Sequence, residues 1–87
     1  MRETVRRVQR MELYFEMVKQ AFDIDPIYIK NDEHIKSMLN DLKEYYEGGQ
    51  WLEDFRADER GELPSDMKRG VLSEDGLWNL LSDISKL

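Results

Sequence analysis

Apolar side chains recur at every third or fourth residue over the first quarter of the chain, and this spacing constrains the fold most strongly. An α-helix repeats about every 3.6 residues, so side chains at such spacing share one face. The spacing therefore predicts an amphipathic helix over residues 3–22, with a stripe broad enough for packing in a small bundle. The stripe consists of Val8, Met11, Phe15, Val18 and Phe22.

A second helix is predicted after a turn at Pro26, which cannot continue the first helix. Residues 27–29 are β-branched or aromatic, and they are expected to form an extended linker. Asn31 is the expected N-cap of the second helix, and Gly48 with Gly49 marks its expected end. The apolar stripe between these positions consists of Ile35, Met38, Leu39, Leu42, Tyr45 and Tyr46.

The last third of the chain predicts a short helix, a structured turn and a C-terminal helix. The short helix covers residues 50–59, and residues 63–69 form a turn or a single helical turn that Gly70 stops. Ser73 is the expected N-cap of the final helix, because acidic residues follow it directly. The apolar face of that helix consists of Leu77, Leu80, Leu81, Ile84 and Leu87.

These elements predict a single all-α domain over residues 1–87. Its architecture is a small helical bundle of three main helices plus a short helix and a structured turn, with antiparallel neighbours favoured by the short connections. A chain of 87 residues buries a modest core. It has no cysteine, which excludes disulfides and thiolate metal sites. Good helix packing or self-association must therefore supply its stability.

The charge of the chain limits its partners. A net charge of −6 disfavours general nucleic-acid binding, which depends on basic side chains. Residues 1–10 sum to +3 and the rest to −9, an asymmetry that suits antiparallel self-association, an acidic partner or a solvated helix end. No apolar run approaches the roughly 20 residues that span a bilayer, and no signal-peptide pattern is present. We expect a cytoplasmic protein with no membrane contact.

Residues 45–78 mix aromatic, acidic, basic and glycine residues without a simple period. In the short helix, two carboxylates and two aromatic rings fall at i, i+3, i+4 and i+7, and so share one face. The helix dipole disfavours acidic residues near the C-terminal end, which predicts cationic partners for them. The candidate interaction or clasp residues are Trp51, Asp54, Phe55, Asp58, Lys68 and Arg69.

Two interpretations of this face remain open. In the structural one, Asp54 or Asp58 pairs with Arg69 to pin the turn, while the two aromatic rings fill the core. In the functional one, the carboxylates form a small acidic site for a divalent ion or a cationic peptide. Their spacing does not match a calcium-binding loop. His34 is the single histidine, which excludes a multi-histidine metal site, and Ser73 has no adjacent base. No catalytic residue, metal or cofactor is predicted.

The segments WLED at 51–54, Ala57-Asp58, Gly61, Leu63-Pro64 and KRGVLSED at 68–75 resemble a family of small bacterial proteins, the domain of unknown function 4298 family. The likeness extends over most of the chain, from residues 10–12 to the final helix. It implies a stand-alone helical protein and supplies no activity, cofactor or catalytic residue.

The sequence favours a non-enzymatic protein–protein interaction module, with self-association as one form of it. Its partner surface is predicted to include the turn over residues 58–69 and nearby aromatic rings, a composition that suits interface anchors. The alternative is a small metal-dependent or ligand-binding acidic site around Asp54 and Asp58. A third hypothesis, the least favoured, is nucleic-acid contact through the basic N-terminal segment, which contains Arg2, Arg6 and Arg10.

Overall fold

The all-α prediction is confirmed by the computed structural model, which describes residues 2–87. The chain forms α1 (Arg2–Ile24), α2 (Ile27–Asn31), α3 (Glu33–Glu47), α4 (Gln50–Glu59) and α5 (Gly76–Ser85), and a 3₁₀ turn (Gly70–Leu72) precedes α5. No β-strand occurs among the described residues. None of the helices in this part of the chain is both long enough and apolar enough to cross a membrane.

The first helix spans most of the molecule. Its 23 residues extend roughly 34 Å, close to the longest dimension of the fold, 38 Å. Its apolar face packs against α2, α3, the 3₁₀ turn and α5, and its Arg7 side chain contacts α4. The fully buried side chains at the centre of the core are Val8, Val18, Leu42, Val71 and Leu77.

The connection from α1 to α3 differs from the prediction. Residues 27–29 are not extended, because they belong to the single-turn helix α2. Pro26 enters this turn with a helical φ of −55°, which its ring favours, and the Asp25 side chain accepts a hydrogen bond from the backbone N–H of Ile27 at 3.1 Å. The turn buries Ile29 in the core.

The caps of α3 are partly as predicted. Asn31 ends α2, and the N-cap of α3 is the next residue, Asp32, whose carboxylate accepts hydrogen bonds from the N–H groups of His34 and Ile35. The predicted end at the glycine pair is confirmed. Gly49 there adopts a left-handed φ of +94°, which reverses the chain into α4 and favours glycine. The short helix predicted over residues 50–59 is confirmed as α4.

The start of the last helix corrects two predictions. Ser73 does not cap it, because its hydroxyl donates a hydrogen bond to the carbonyl of Gly70 at 2.7 Å and closes the 3₁₀ turn. The final helix instead begins at Gly76, where any Cβ would overlap the Ser73 hydroxyl. Gly70 begins the 3₁₀ turn and does not stop a helix, since residues 63–69 form an irregular turn.

Candidate functional site

Asp54 lies in the interior, where it joins three helices. Its side chain is 1% exposed, and its carboxylate accepts hydrogen bonds from Arg7 Nε at 2.9 Å and Arg7 Nη2 at 2.5 Å. The hydroxyl of Tyr45 donates a third hydrogen bond to it at 2.6 Å. Because Arg7 is on α1, Tyr45 on α3 and Asp54 on α4, this one carboxylate connects all three.

The electrostatics of this cluster fix its protonation. The hydrogen bond to Asp54 raises the pKa of Arg7. Burial, and then the hydrogen bond to Asp54, raise the pKa of Tyr45 far above its ordinary value. At moderate pH values Arg7 is therefore a cation and Tyr45 a neutral phenol, and both donate hydrogen bonds to the carboxylate of Asp54. Such an arrangement cross-links three helices.

Asp58 forms an ion pair with Arg69. The sequence alone leaves open whether Asp54 or Asp58 does so. The guanidinium of Arg69 donates to the carboxylate of Asp58, and it also donates to the backbone carbonyls of Pro64 and Met67. One side chain thus binds the last turn of α4 and two points of the following loop. Lys68 contributes little to this clasp, since its ammonium points instead towards Glu16 of α1, at 3.9 Å.

The two candidate aromatic residues have different environments. Trp51 packs against the core and donates its indole N–H to the carbonyl of Val71 at 2.8 Å. Phe55 is half-buried and stacks on Trp51, with ring centroids 5.1 Å apart and planes at 18°. On the other side of Trp51, Tyr46 makes a tilted contact at 5.2 Å. The three rings form a ladder that joins α3, α4 and the 3₁₀ turn.

Glu12 is a structural residue that sequence reasoning missed. It is 7% exposed, and its Oε1 accepts a hydrogen bond from the N–H of Val71 at 2.7 Å. A Cβ at Gly70 would lie 3.3 Å from the same carboxylate, so the backbone approaches closely there. The signal was present in the sequence, because Glu12 follows Val8 by four residues and therefore falls within the apolar stripe of α1.

A concave groove lies between α1 and the irregular turn. We call it the α1–turn groove; its volume is about 440 Å³. Leu13, 53% exposed, lies on its α1 wall, and Met67 lies on the opposite wall. The remaining lining residues are mainly polar, with more acidic than basic side chains. They are Gln9, Glu12, Glu16, Pro64, Asp66 and Lys68.

The two carboxylates proposed as a metal site point to different partners. Asp54 is directed at Arg7 and Tyr45, and Asp58 at Arg69. Within residues 2–87, no group of three or more histidine, aspartate or glutamate side chains is placed to hold a metal ion. His34 lies exposed in the first turn of α3. The arrangement around Asp54 and Asp58 therefore acts as two cross-links between elements.

Comparisons with known proteins add one assignment. No curated protein and no solved structure shows a significant match to the chain. A family model does match, and it covers residues 8–87, which include every residue of the Asp58–Arg69 clasp, the aromatic ladder and the α1–turn groove. The chain belongs to the family described as domain of unknown function (DUF4298).

Proposed function

We propose that this protein is a non-enzymatic protein–protein interaction module, and that the α1–turn groove is its contact surface. The observation that carries the proposal is the exposure of Leu13, 53%, on the wall of a groove whose other wall contains Pro64 and Met67. One helical turn further along α1, Met17 is 39% exposed. Adjacent exposed apolar side chains beside a concave surface are typical of a site that a partner covers.

The clasp supports this role, because it holds the turn in place before any partner binds. Arg69 fixes the turn to α4, and Glu12 with Trp51 fixes both backbone polar groups of Val71 just after it. A groove with rigid walls loses little conformational entropy when it is filled, which favours binding. In this proposal the candidate residues named from the sequence hold the groove in shape. The residues that contact a partner lie next to them.

The chemistry of the groove indicates a class of partner. Glu12, Glu16 and Asp66 line it against one cation, Lys68, so its net charge is negative. A segment with an apolar side chain for Leu13 and Met67, flanked by basic residues, would match both features. The absence of cysteine from the chain fits action in a reducing compartment, and we propose the bacterial cytoplasm.

A pull-down with matched variants tests the proposal. Tagged protein is expressed in the native host as wild type, as Leu13→Glu and as Leu52→Glu; Leu52 is similarly exposed, at 43%, but lies on α4. We expect specific co-purified proteins with the wild type and with Leu52→Glu, and their loss with Leu13→Glu. Recovery of the same proteins with both variants would contradict the proposal, and so would recovery of neither another protein nor an untagged copy of this chain with the wild type.

A further inference from the structure

We propose that the partner is a second copy of this chain, which binds through the outer face of α1 with the two α1 helices antiparallel. This inference rests on the proposed function and names its partner. The outer face of α1, opposite the core, carries a stripe of arginine and apolar residues separated by three, four or seven positions, with Gln20 in the longest gap. The stripe consists of Arg2, Arg6, Arg10, Leu13, Met17 and Ile24.

The apolar half of this stripe is unusually exposed for a small protein. Leu13 is 53% exposed, Met17 39% and Ile24 68%. Two apolar side chains of α2 are exposed as well, Ile27 at 53% and Tyr28 at 46%. Together these side chains form an apolar band along the second half of the longest helix.

Charge decides the direction in which two such helices pair. The N-terminal end of the stripe carries Arg2, Arg6 and Arg10, whereas residues 19–30 at the other end contain two aspartates and two lysines and have no net charge. A parallel pair would bring the arginines of both copies together. An antiparallel pair separates the two sets of arginines and places each over the apolar end of the other copy, where their aliphatic stems cover Ile24 and Arg6 can reach Asp23.

The same geometry fixes a register. If the two-fold axis passes midway between Leu13 and Met17, Leu13 of each copy contacts Met17 of the other, and Arg6 lies beside Asp23 of the second copy. A two-fold pair is closed, so it ends at a dimer. The turn of residues 61–69 borders one side of the stripe, and Met67 in the α1–turn groove adds apolar surface there. A single-helix interface of this kind is small, and the dimer should be weak and concentration-dependent.

Sedimentation velocity of the full chain, up to about 1 mM, measures the dimer. Leu13→Glu and Met17→Glu should each raise the dissociation constant at least about tenfold, because each places a carboxylate in the apolar centre of the interface. Leu52→Glu on α4 should leave it unchanged. Circular dichroism of each variant checks that its helix content equals that of the wild type.

Charge exchange tests the register. Arg6→Glu and Asp23→Arg should each weaken the dimer severalfold, and the double variant should recover most of the loss. Lys43→Glu, the same charge change on the exposed face of α3, is the matched control and should have no effect. Raising the salt concentration from about 0.05 M to about 0.5 M should weaken the wild-type dimer.

A distance measurement tests the orientation. Because the chain has no cysteine, Glu3→Cys provides a unique site for a spin label. In the antiparallel pair the two labels lie roughly 36 Å apart along the helices, at about 1.5 Å per residue. In a parallel pair they would lie within roughly 10 to 20 Å, close to the distance between packed helix axes.

Each outcome is decisive. A protein that stays monomeric at about 1 mM, a dimer that Leu13→Glu leaves intact, or a short label distance overturns the inference. If the chain is monomeric but Leu13→Glu still abolishes binding of another protein in the pull-down, this inference fails and the proposed function stands. If neither a dimer nor a variant-sensitive partner is found, both fail.

Discussion

Replacement of Arg7 by methionine should destabilise the fold severely, because it leaves the Asp54 carboxylate buried without its cation. Asp54 is 1% exposed, and Arg7 supplies two of its three hydrogen bonds. Removing one partner of a buried ion pair costs roughly 3–5 kcal/mol. The side chain of Arg7 is 22% exposed, so water can reach this edge of the cluster, and we expect the lower end, about 3 kcal/mol. A domain of this length has roughly 4–13 kcal/mol of stability in total.

Urea unfolding followed by circular dichroism at pH 7 measures this loss. The matched variant replaces all three members of the cluster by apolar residues of similar size, as Arg7→Met, Tyr45→Phe and Asp54→Leu together. It should recover most of the lost stability, because no buried charge or hydroxyl is then left unsatisfied. A loss below about 1 kcal/mol for Arg7→Met alone would refute this account, since that is the value of a surface ion pair.

Three further perturbations test the other contacts. The raised pKa of Tyr45 keeps its hydroxyl protonated in the folded state. The stabilisation from this hydroxyl should therefore be complete below about pH 10, and the free energy of unfolding should fall by about 1.4 kcal/mol per pH unit above it. Urea unfolding of Tyr45→Phe should lack this slope. Glu12→Met should cost about 1–3 kcal/mol by stranding the Val71 N–H, whereas Glu12→Gln keeps an acceptor and should melt near the wild-type temperature. Asp58→Asn, which weakens the hold of Arg69 on the turn, should lower global stability by at most about 1 kcal/mol yet speed amide hydrogen exchange in residues 61–69; unchanged exchange there would contradict the clasp.

The helices were predictable where a periodic apolar stripe specifies them. The stripe from Val8 to Phe22 indicated α1, and glycine at positions 48 and 49 indicated the end of α3. The errors fall where two neighbouring residues can perform the same local task. Asn31 and Asp32 are both good N-cap residues. Because Asn31 is the last residue of α2, Asp32 caps α3. Ser73 was read as a cap because local sequence does not show that its hydroxyl closes a 3₁₀ turn.

The sequence predicted which acidic residues of the candidate site need cationic partners. It predicted less well which residues pair with each other. The helix dipole correctly predicted cationic partners for Asp54 and Asp58. It could not assign Arg7 to Asp54, because these residues are 47 positions apart and meet only when α1 packs beside α4. Glu12 was overlooked for a similar reason, since its partner is a backbone N–H that the sequence does not distinguish.

Cross-links in the interior hold the fold together, and in our proposal the outer face of α1 binds a second copy of the chain. Nitrogen-15 correlation spectra of the wild type, recorded from about 20 µM to about 1 mM, test it most directly. We predict concentration-dependent shifts confined to the α1 stripe, notably Arg6, Leu13 and Met17, and to the corner with α2. Spectra that do not change with concentration, or shifts confined to α4 and α5, would contradict the account.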